Sequence, residues 1–337
     1  MELLRVPALL YGVVADLRRS LYDRGLLPVE RLDVPVVCVG NLSAGGTGKT
    51  PMVAWLARVL AERGRRPGLL SRGYGAGDEM RELAELLPDV PREEDPDRAA
   101  GGRRLVGRGA DVIVMDDGFQ HRRLHRDLDL VLVDATRPWG LPQPPGGGDP
   151  VCALIPRGLL RERPSALTRA DAIVLTRTDQ ASAEVCARLE AELEALAPGK
   201  PLTRARHRPR ALRGPAGEEL APEALAGAEV DLLSGIGNPE AFEETVRALG
   251  ARVAEHRRFP DHHPFAPEDL EGLGRERILV TTSKDAARLG PGRNRAHVLE
   301  IELEIAEGRD RLLAMLDALP RGRGLHEREN LHEGLHG

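Results

Sequence analysis

An α/β fold of the P-loop NTPase kind, a doubly wound, mostly parallel sheet followed by a second, smaller α/β unit, is predicted by three observations. The first is a strand–turn–helix unit. Residues 36–39 form an apolar, β-branched run suited to a fully buried parallel strand. A glycine-dense turn follows, and residues 51–60 then carry apolar side chains at helical spacing (Met52, Val53, Leu56, Val59, Leu60). The second is repetition of that rhythm: short apolar runs at 68–70, 111–115, 130–133 and 172–175, with a helix predicted over 183–196. The third is a shorter recurrence after residue 224, with a strand at 231–233, a Gly/Asn/Pro turn, a helix to Leu249 and a strand at 278–281.

The turn after the first strand is built to hold phosphates. In Gly45-Gly46-Thr47-Gly48-Lys49-Thr50 the glycines let backbone N–H groups wrap an anion, and the following helix N-terminus adds partial positive charge. Lys49 is placed to reach the outer phosphates, and the Thr50 hydroxyl to ligate Mg²⁺. The strict G-x4-G-K-[ST] pattern fails because its first position is Ser43, so the loop is the G-G-x-G-K-T variant. A nucleoside triphosphate is the expected ligand.

Composition narrows the class. A chain of 337 residues exceeds the size at which single cores stop growing, so two domains are expected. A formal charge of −5 offers no basic field for nucleic acid. Three cysteines (Cys38, Cys152, Cys186) without C-x-x-C spacing suggest neither a disulfide framework nor zinc, and fit a reducing, cytosolic location. The expected division is an N-terminal helix (1–30), a P-loop domain (31–205), a connector (206–225), a smaller α/β domain (226–320) and a charged, disordered tail (321–337).

In chain order, Leu9, Leu10, Val13, Val14, Leu17 and Leu21 fall on one helical face flanked by Arg5, Arg18, Arg19 and Arg24. The same stripe serves an interfacial membrane helix or a helix packed on its own core. Its apolar stretch, residues 6–15, is too short to span a bilayer and lacks the layout of a cleaved signal peptide. Arg72 and Tyr74 follow the second strand, where open α/β sheets gather ligands. Asp78 and Glu79 open a helix predicted to run to about Leu87, and the charged, Pro-rich stretch 88–104 reads as a surface loop.

The run at 111–115 ends in Asp116-Asp117-Gly118. A carboxylate there, beside the P-loop strand, is how such folds hold Mg²⁺. His121 and His125 share i, i+4 spacing, but no H-E-x-x-H glutamate lies between them to favour zinc. A long Gly/Pro-rich loop with Trp139, Arg137, Arg157, Arg161 and Arg163 suits an amphipathic, anionic substrate. In Phe259-Pro260-Asp261-His262-His263-Pro264-Phe265, an Asp before paired histidines in a Pro-bounded turn points to catalysis or substrate contact.

Taken together, VGNLSAGGTGKTP, SRGYG, GDE, DDGFQHRRLHRDLDLVLVDATRPWG, LIPRGLLRE, GIGNP and F-x-DHH resemble the tetraacyldisaccharide 4′-kinases, in that family's order and over roughly residues 5–290. The resemblance implies ATP- and Mg²⁺-dependent phosphorylation of the 4′-hydroxyl of a lipid A disaccharide precursor. It also implies a peripheral enzyme on the cytoplasmic face of the inner membrane, with no nucleic acid and no obligate protein partner. By that likeness the catalytic acid falls on Asp78, the Mg²⁺-linked carboxylates on Asp116 and Asp117, and the histidine of F-x-DH on His262; the candidate set is completed by Lys49 for catalysis, Thr50 and Glu79 for the metal, and Arg72, Tyr74, Gln120, His121 and Arg157 for substrate contact. Met80 stands where the family usually has the proline of G-D-E-P, and PREEDPDRAA replaces an expected apolar strand. The competing reading is a membrane-partitioning P-loop ATPase that hydrolyses ATP as a switch. A soluble small-molecule kinase is a third.

Overall fold

The computed structural model describes residues 4–73, 78–142, 151–290 and 295–321. Helix α1 (Arg5–Asp23) precedes β1 (Val36–Asn41), the phosphate loop and α2 (Lys49–Glu62). Then come β2 (Pro67–Ser71), α3 (Asp78–Leu86), β3 (Arg92–Glu94), α4 (Arg98–Gly107), β4 (Val112–Asp116), β5 (Leu128–Asp134), β6 (Ala172–Thr176) and α5 (Ala183–Leu196). The second half comprises β7 (Leu202–Arg213), β8 (Glu219–Leu220), β9 (Glu229–Ser234), α6 (Pro239–Ala248), β10 (Arg252–Arg258), β11 (Ile278–Thr282), α7 (Ser283–Ala286), β12 (Ala296–Glu307) and α8 (Arg309–Asp317).

Among the described residues one sheet runs in the order β10-β9-β11-β12-β7-β6-β5-β1-β4-β2-β3, with β8 added to β7. It is parallel except where β7 meets β12 and β8. This agrees with the α/β, mostly parallel architecture expected from the sequence. Strand β1 lies between β4 and β5 and is buried on both faces, which is why it reads as a continuous apolar run. Val36 and Cys38 pack into the cluster on one face, Val37 and Val39 into the other beneath Met52, Val53 and Leu56 of α2. The register sets Val39 opposite Asp116, so the tandem aspartates emerge level with the phosphate loop.

Two stretches differ from expectation. Residues 88–104 are not a loop: they form β3 and most of α4. Strand β3 pairs only with β2 and is the sheet edge, where charged residues are favoured over apolar ones. Helix α4 starts because Asp97 caps it, accepting from the Ala99 and Ala100 amides at 3.1 Å each. Residues 206–225, expected as a connector, instead hold most of the twelve-residue β7 (Leu202–Arg213). Its alternating arginines disguise it. Arg206 pairs with Glu304 at 2.7 Å and Arg210 with Glu300 at 2.6 Å across to β12, so cross-strand charge replaces apolar alternation. Strands β7 and β12 thereby carry the sheet without a break between its halves. The tail beyond residue 321 lies outside the described residues.

Candidate active site

The C-terminal ends of β1 and β4 meet the turns after β9, β10 and β11 around a cleft of about 550 Å³. On its floor Gly45 and Gly48 adopt φ of 119° and 90°, which favour glycine and turn the loop amides inward. Asn41 at the end of β1 donates to the Thr47 hydroxyl (2.9 Å), and Thr176 of β6 donates to the Thr47 carbonyl (3.0 Å). Thr50 is buried in the first turn of α2. Gly237 of the second half packs so closely that a Cβ there would lie 2.5 Å from the Gly46 nitrogen. The GIGNP turn is therefore a wall of the nucleotide loop. Asn238 locks it, donating to Asp134 Oδ2 and Thr136 Oγ1 (3.1 Å each) while accepting from the Ala241 amide as the cap of α6.

The two aspartates after β4 have different surroundings. Asp116 is buried, and its Oδ1 has no hydrogen-bond partner among the described residues; burial pushes its pKa up to about 6. Asp117, at φ 49°, receives both Nη groups of Arg161 at 2.8 and 2.7 Å, and Lys49 Nζ lies 3.7 Å away. Burial alone would raise the Asp117 carboxyl, but Lys49 and Arg161 outweigh it and hold the group well below the usual carboxylate range. An orphaned carboxylate oxygen beside the nucleotide loop fits Mg²⁺, which keeps most of its shell from phosphates and water and uses one or two protein oxygens. No group of three or more His, Cys, Asp or Glu side chains that could hold a metal by itself occurs among the described residues.

The opposite wall comes from the second half. His262 adopts φ 63°, its amide donating to the Gly235 carbonyl (3.2 Å). Its Nε2 lies 3.7 Å from Glu79 and 3.9 Å from Asp261. Lys284 of α7 joins all three, 3.1 Å from Glu79, 3.2 Å from Asp261 and 3.4 Å from His262 Nε2. Glu79, expected on the metal, is thus engaged by Lys284. Burial would raise the Glu79 carboxyl, yet Lys284 draws it below its ordinary value. Nearby Glu82 is pushed up to about 7 by burial. Asp78 begins α3, next to Glu79; its side chain and Tyr74 lie outside the described residues.

The remaining candidates separate. Arg72 lines the cleft. Gln120, His121 and Arg157 are not among its lining residues. Gln120 donates to the Asn41 carbonyl at 3.0 Å, bracing the end of β1. His121 is driven down to about 4 by burial and then by surrounding arginines, led by Arg98, so it is neutral at pH 7. The arginine cluster of the long loop is mostly committed internally: Arg137 to the Gly237 carbonyl (3.0 Å), Arg161 to Asp117, and Arg163 to Asp16 (3.0 Å). Trp139 is buried in the core, where apolar area counts most, and does not face a substrate.

Helix α1 settles one open alternative. Leu9, Leu10, Val13, Val14 and Leu17 are 56–65% exposed, so the stripe does not pack on the core. The helix docks by its other side, with Ala8 and Gly12 buried, Tyr11 donating to the Arg161 carbonyl and Arg18 to the Gln120 carbonyl, both at 2.9 Å. No helix among the described residues is long and apolar enough to cross a membrane.

Comparison with known proteins fits this geometry. The family model described as tetraacyldisaccharide-1-P 4′-kinase matches residues 1–320. The chain belongs to this family. It is 44% identical to the tetraacyldisaccharide 4′-kinase of Anaeromyxobacter dehalogenans strain 2CP-C, over 91% of this chain and 87% of that one. It is 39% identical to that of Syntrophus aciditrophicus, over 86% and 84%. The crystal structure of the "apo" form of LpxK from Aquifex aeolicus in complex with ATP superposes with a TM-score of 0.71 at 32% identity, covering 94% of this chain and 98% of that one. The partitioning-ATPase reading finds no support in these relatives.

Several residues of this family member escaped sequence reasoning. Arg98 is buried with Nη2 3.5 Å from the Asp116 carbonyl, and burial lowers its pKa to about 10. It sits in the stretch read as a loop. Asn41, Asn238 and Lys284 carried a signal only in their place, each at or just past a strand end on the cleft side.

Proposed function

We propose that the chain transfers the γ-phosphoryl group of ATP to the 4′-hydroxyl of a tetraacyl glucosamine disaccharide 1-phosphate, giving lipid IV-A in lipid A biosynthesis. The observation that carries this reading is a single cleft with a phosphate loop and tandem aspartates on one wall, and Asp261, His262 and Lys284 on the other. Phosphoryl transfer needs positioning and charge neutralisation more than covalent help. The loop amides and Lys49 bind the β- and γ-phosphates, for which Lys49 leaves Asp117. Thr50 and Asp116, with Asp117 nearby, would hold Mg²⁺, whose chemistry is to neutralise charge on the transferring and leaving oxygens.

A sugar hydroxyl needs a base within hydrogen-bond reach. Asp78, at the start of α3, accepts that proton, and His262 shares or orients it when the halves 31–205 and 226–320 close. Arg72 and Tyr74 are proposed acceptor contacts. The exposed face of α1 lies on the cytoplasmic surface of the inner membrane and presents the cleft to a lipid acceptor without spanning the bilayer. No nucleic acid and no obligate protein partner is invoked.

The test is transfer of labelled γ-phosphate to the disaccharide lipid in detergent micelles, compared with ATP turnover alone. Acceptor-independent hydrolysis without transfer would restore the ATPase-switch reading, and equal activity on a deacylated acceptor would make this a soluble sugar kinase. Asp78→Ala and His262→Ala should each abolish most transfer while retaining ATP, and their losses should not multiply, since residues acting as one unit are non-additive.

A further inference from the structure

Lys284 is held in place by more than its own short helix. Thr282 caps α7 by accepting from the Asp285 amide (3.1 Å) and donating to its Oδ2 (2.7 Å). Asp285, fully buried, accepts from the Gly235 amide at 3.0 Å and pairs with Arg288. Arg288 in turn donates to the carbonyls of Gly235 (2.8 Å) and His263 (3.2 Å). The turn after β9, the Asp261-His262-His263 turn and α7 are thus one braced unit, and Lys284 is the side chain it sends across the cleft.

What Lys284 meets there is a concentration of acid. Glu79 and Glu82 come from α3 of the P-loop half, Asp261 from its own half, and Asp285 is its sequence neighbour. Glu79 and Asp261 lie within hydrogen-bond reach of the same ammonium, so without it two carboxylates from opposite walls would face each other across the cleft. Like charges so placed repel, which pushes the two walls apart. Lys284 is 17% exposed and its ammonium sits between Glu79 and Asp261, 3.1 and 3.2 Å away. The same nitrogen lies 3.4 Å from His262 Nε2.

We propose that Lys284 is a positioning residue that latches the two walls of the cleft, its ammonium drawing Glu79 and Asp261 together and thereby fixing the imidazole of His262 beside the transfer site. The inference rests on the kinase reading given above. A latch of this kind acts on the assembled state, so its loss falls on turnover and not on nucleotide affinity. It works through charge, so another cation of suitable length restores it and a neutral isostere does not.

The experiment compares wild-type protein, Lys284→Met, Lys284→Arg, Glu79→Gln and the Lys284→Met/Glu79→Gln pair by steady-state transfer to the lipid disaccharide. Hydrogen exchange of α3 and residues 259–265 is followed in the same proteins. Lys284→Met should lower kcat at least about tenfold with KM for ATP held within about twofold, and Lys284→Arg should recover most of the loss. The double variant should be little worse than the poorer single, because both break one contact. Exchange should quicken in both segments for Lys284→Met and Glu79→Gln, a readout that needs no catalysis and stands even if wild-type protein transfers nothing to this acceptor. Full kcat in Lys284→Met would overturn the latch. A rise confined to KM for the lipid would overturn it too, making Lys284 an acceptor ligand. If Lys284→Met does not fold, Glu79→Gln decides from the opposite wall: unchanged exchange and kcat there refute the proposal.

Discussion

Replacing Leu10, Val13 and Leu17 together by Gln isolates what the outward face of α1 does. The three are 62%, 56% and 59% exposed, so the fold loses little when they change. Complete burial of such a side chain contributes about 1.5–3 kcal/mol. With roughly six-tenths of each surface still to be covered, insertion into an acyl boundary would bring about 1 to 1.5 kcal/mol per residue. The triple variant therefore forfeits about 3–4 kcal/mol of partitioning, a change of several hundredfold, roughly, in the fraction bound. The assay is co-sedimentation with anionic phospholipid vesicles over a range of lipid, with circular dichroism and ATP affinity as controls for the fold. Binding of the variant should collapse at lipid concentrations that saturate the wild type. Equal partitioning of a folded triple variant would refute the argument, because no other apolar row of this length on the described surface has the same exposure.

The remaining predictions concern the cleft. Lys49→Ala should leave the fold intact and cut kcat/KM at least about a hundredfold, some 2.7 kcal/mol, measured by transfer kinetics. Asp116→Asn should stabilise the metal-free protein at pH 7.5 while abolishing Mg²⁺-dependent transfer. A carboxyl whose folded pKa is raised to about 6 is disfavoured once ionised; the penalty is absent below about pH 4, grows as pH climbs towards 6 and is complete above it, on the order of 3 kcal/mol. Urea unfolding at pH 4 and 7.5 should show the gain at the higher pH alone. Asn238→Ala should destabilise by about 1–2 kcal/mol through loss of the α6 cap and of a buried partner for Asp134, read as a lower urea midpoint.

Much of the P-loop half was legible because its signals are local. Strands β1, β4, β5 and β6 are buried on both faces and are apolar apart from their ends and Asp129 of β5, which pairs with Arg126, and α5 begins where its helical spacing predicts, at 183. The opposite held for β3 and β7. One is an edge, the other a ribbon whose arginines are answered by glutamates roughly ninety to a hundred positions away, as with Arg206 and Glu304. No window of sequence contains both partners, so charge alternation reads as solvated coil until the sheet is assembled. The same reasoning accounts for the long loop. Four arginines and a tryptophan look like a substrate surface only while Asp117, Asp16 and Gly237 are distant in the chain; once folded, Arg161, Arg163 and Arg137 have these as partners among the described residues.

The site shows that limit most clearly at Asp117. Its sequence context, a second aspartate after a buried strand, suggested a metal carboxylate like Asp116. The structure separates the pair by one turn of backbone: Asp116 stays inside with an unsatisfied oxygen, while Asp117, at positive φ, turns to Arg161 and Lys49. Arg161 is in turn tied through its carbonyl to Tyr11 of α1, and Asn41, which shares that guanidinium, is tied through its carbonyl to Gln120, whose own carbonyl holds Arg18. The helix that carries the exposed apolar face therefore leans on the backbone of the residues that set Asp117 beside the phosphate loop. Displacing α1 would cost hydrogen bonds at both points, so the seat of that helix and order in the cleft are linked by short, direct contacts and need no long-range path.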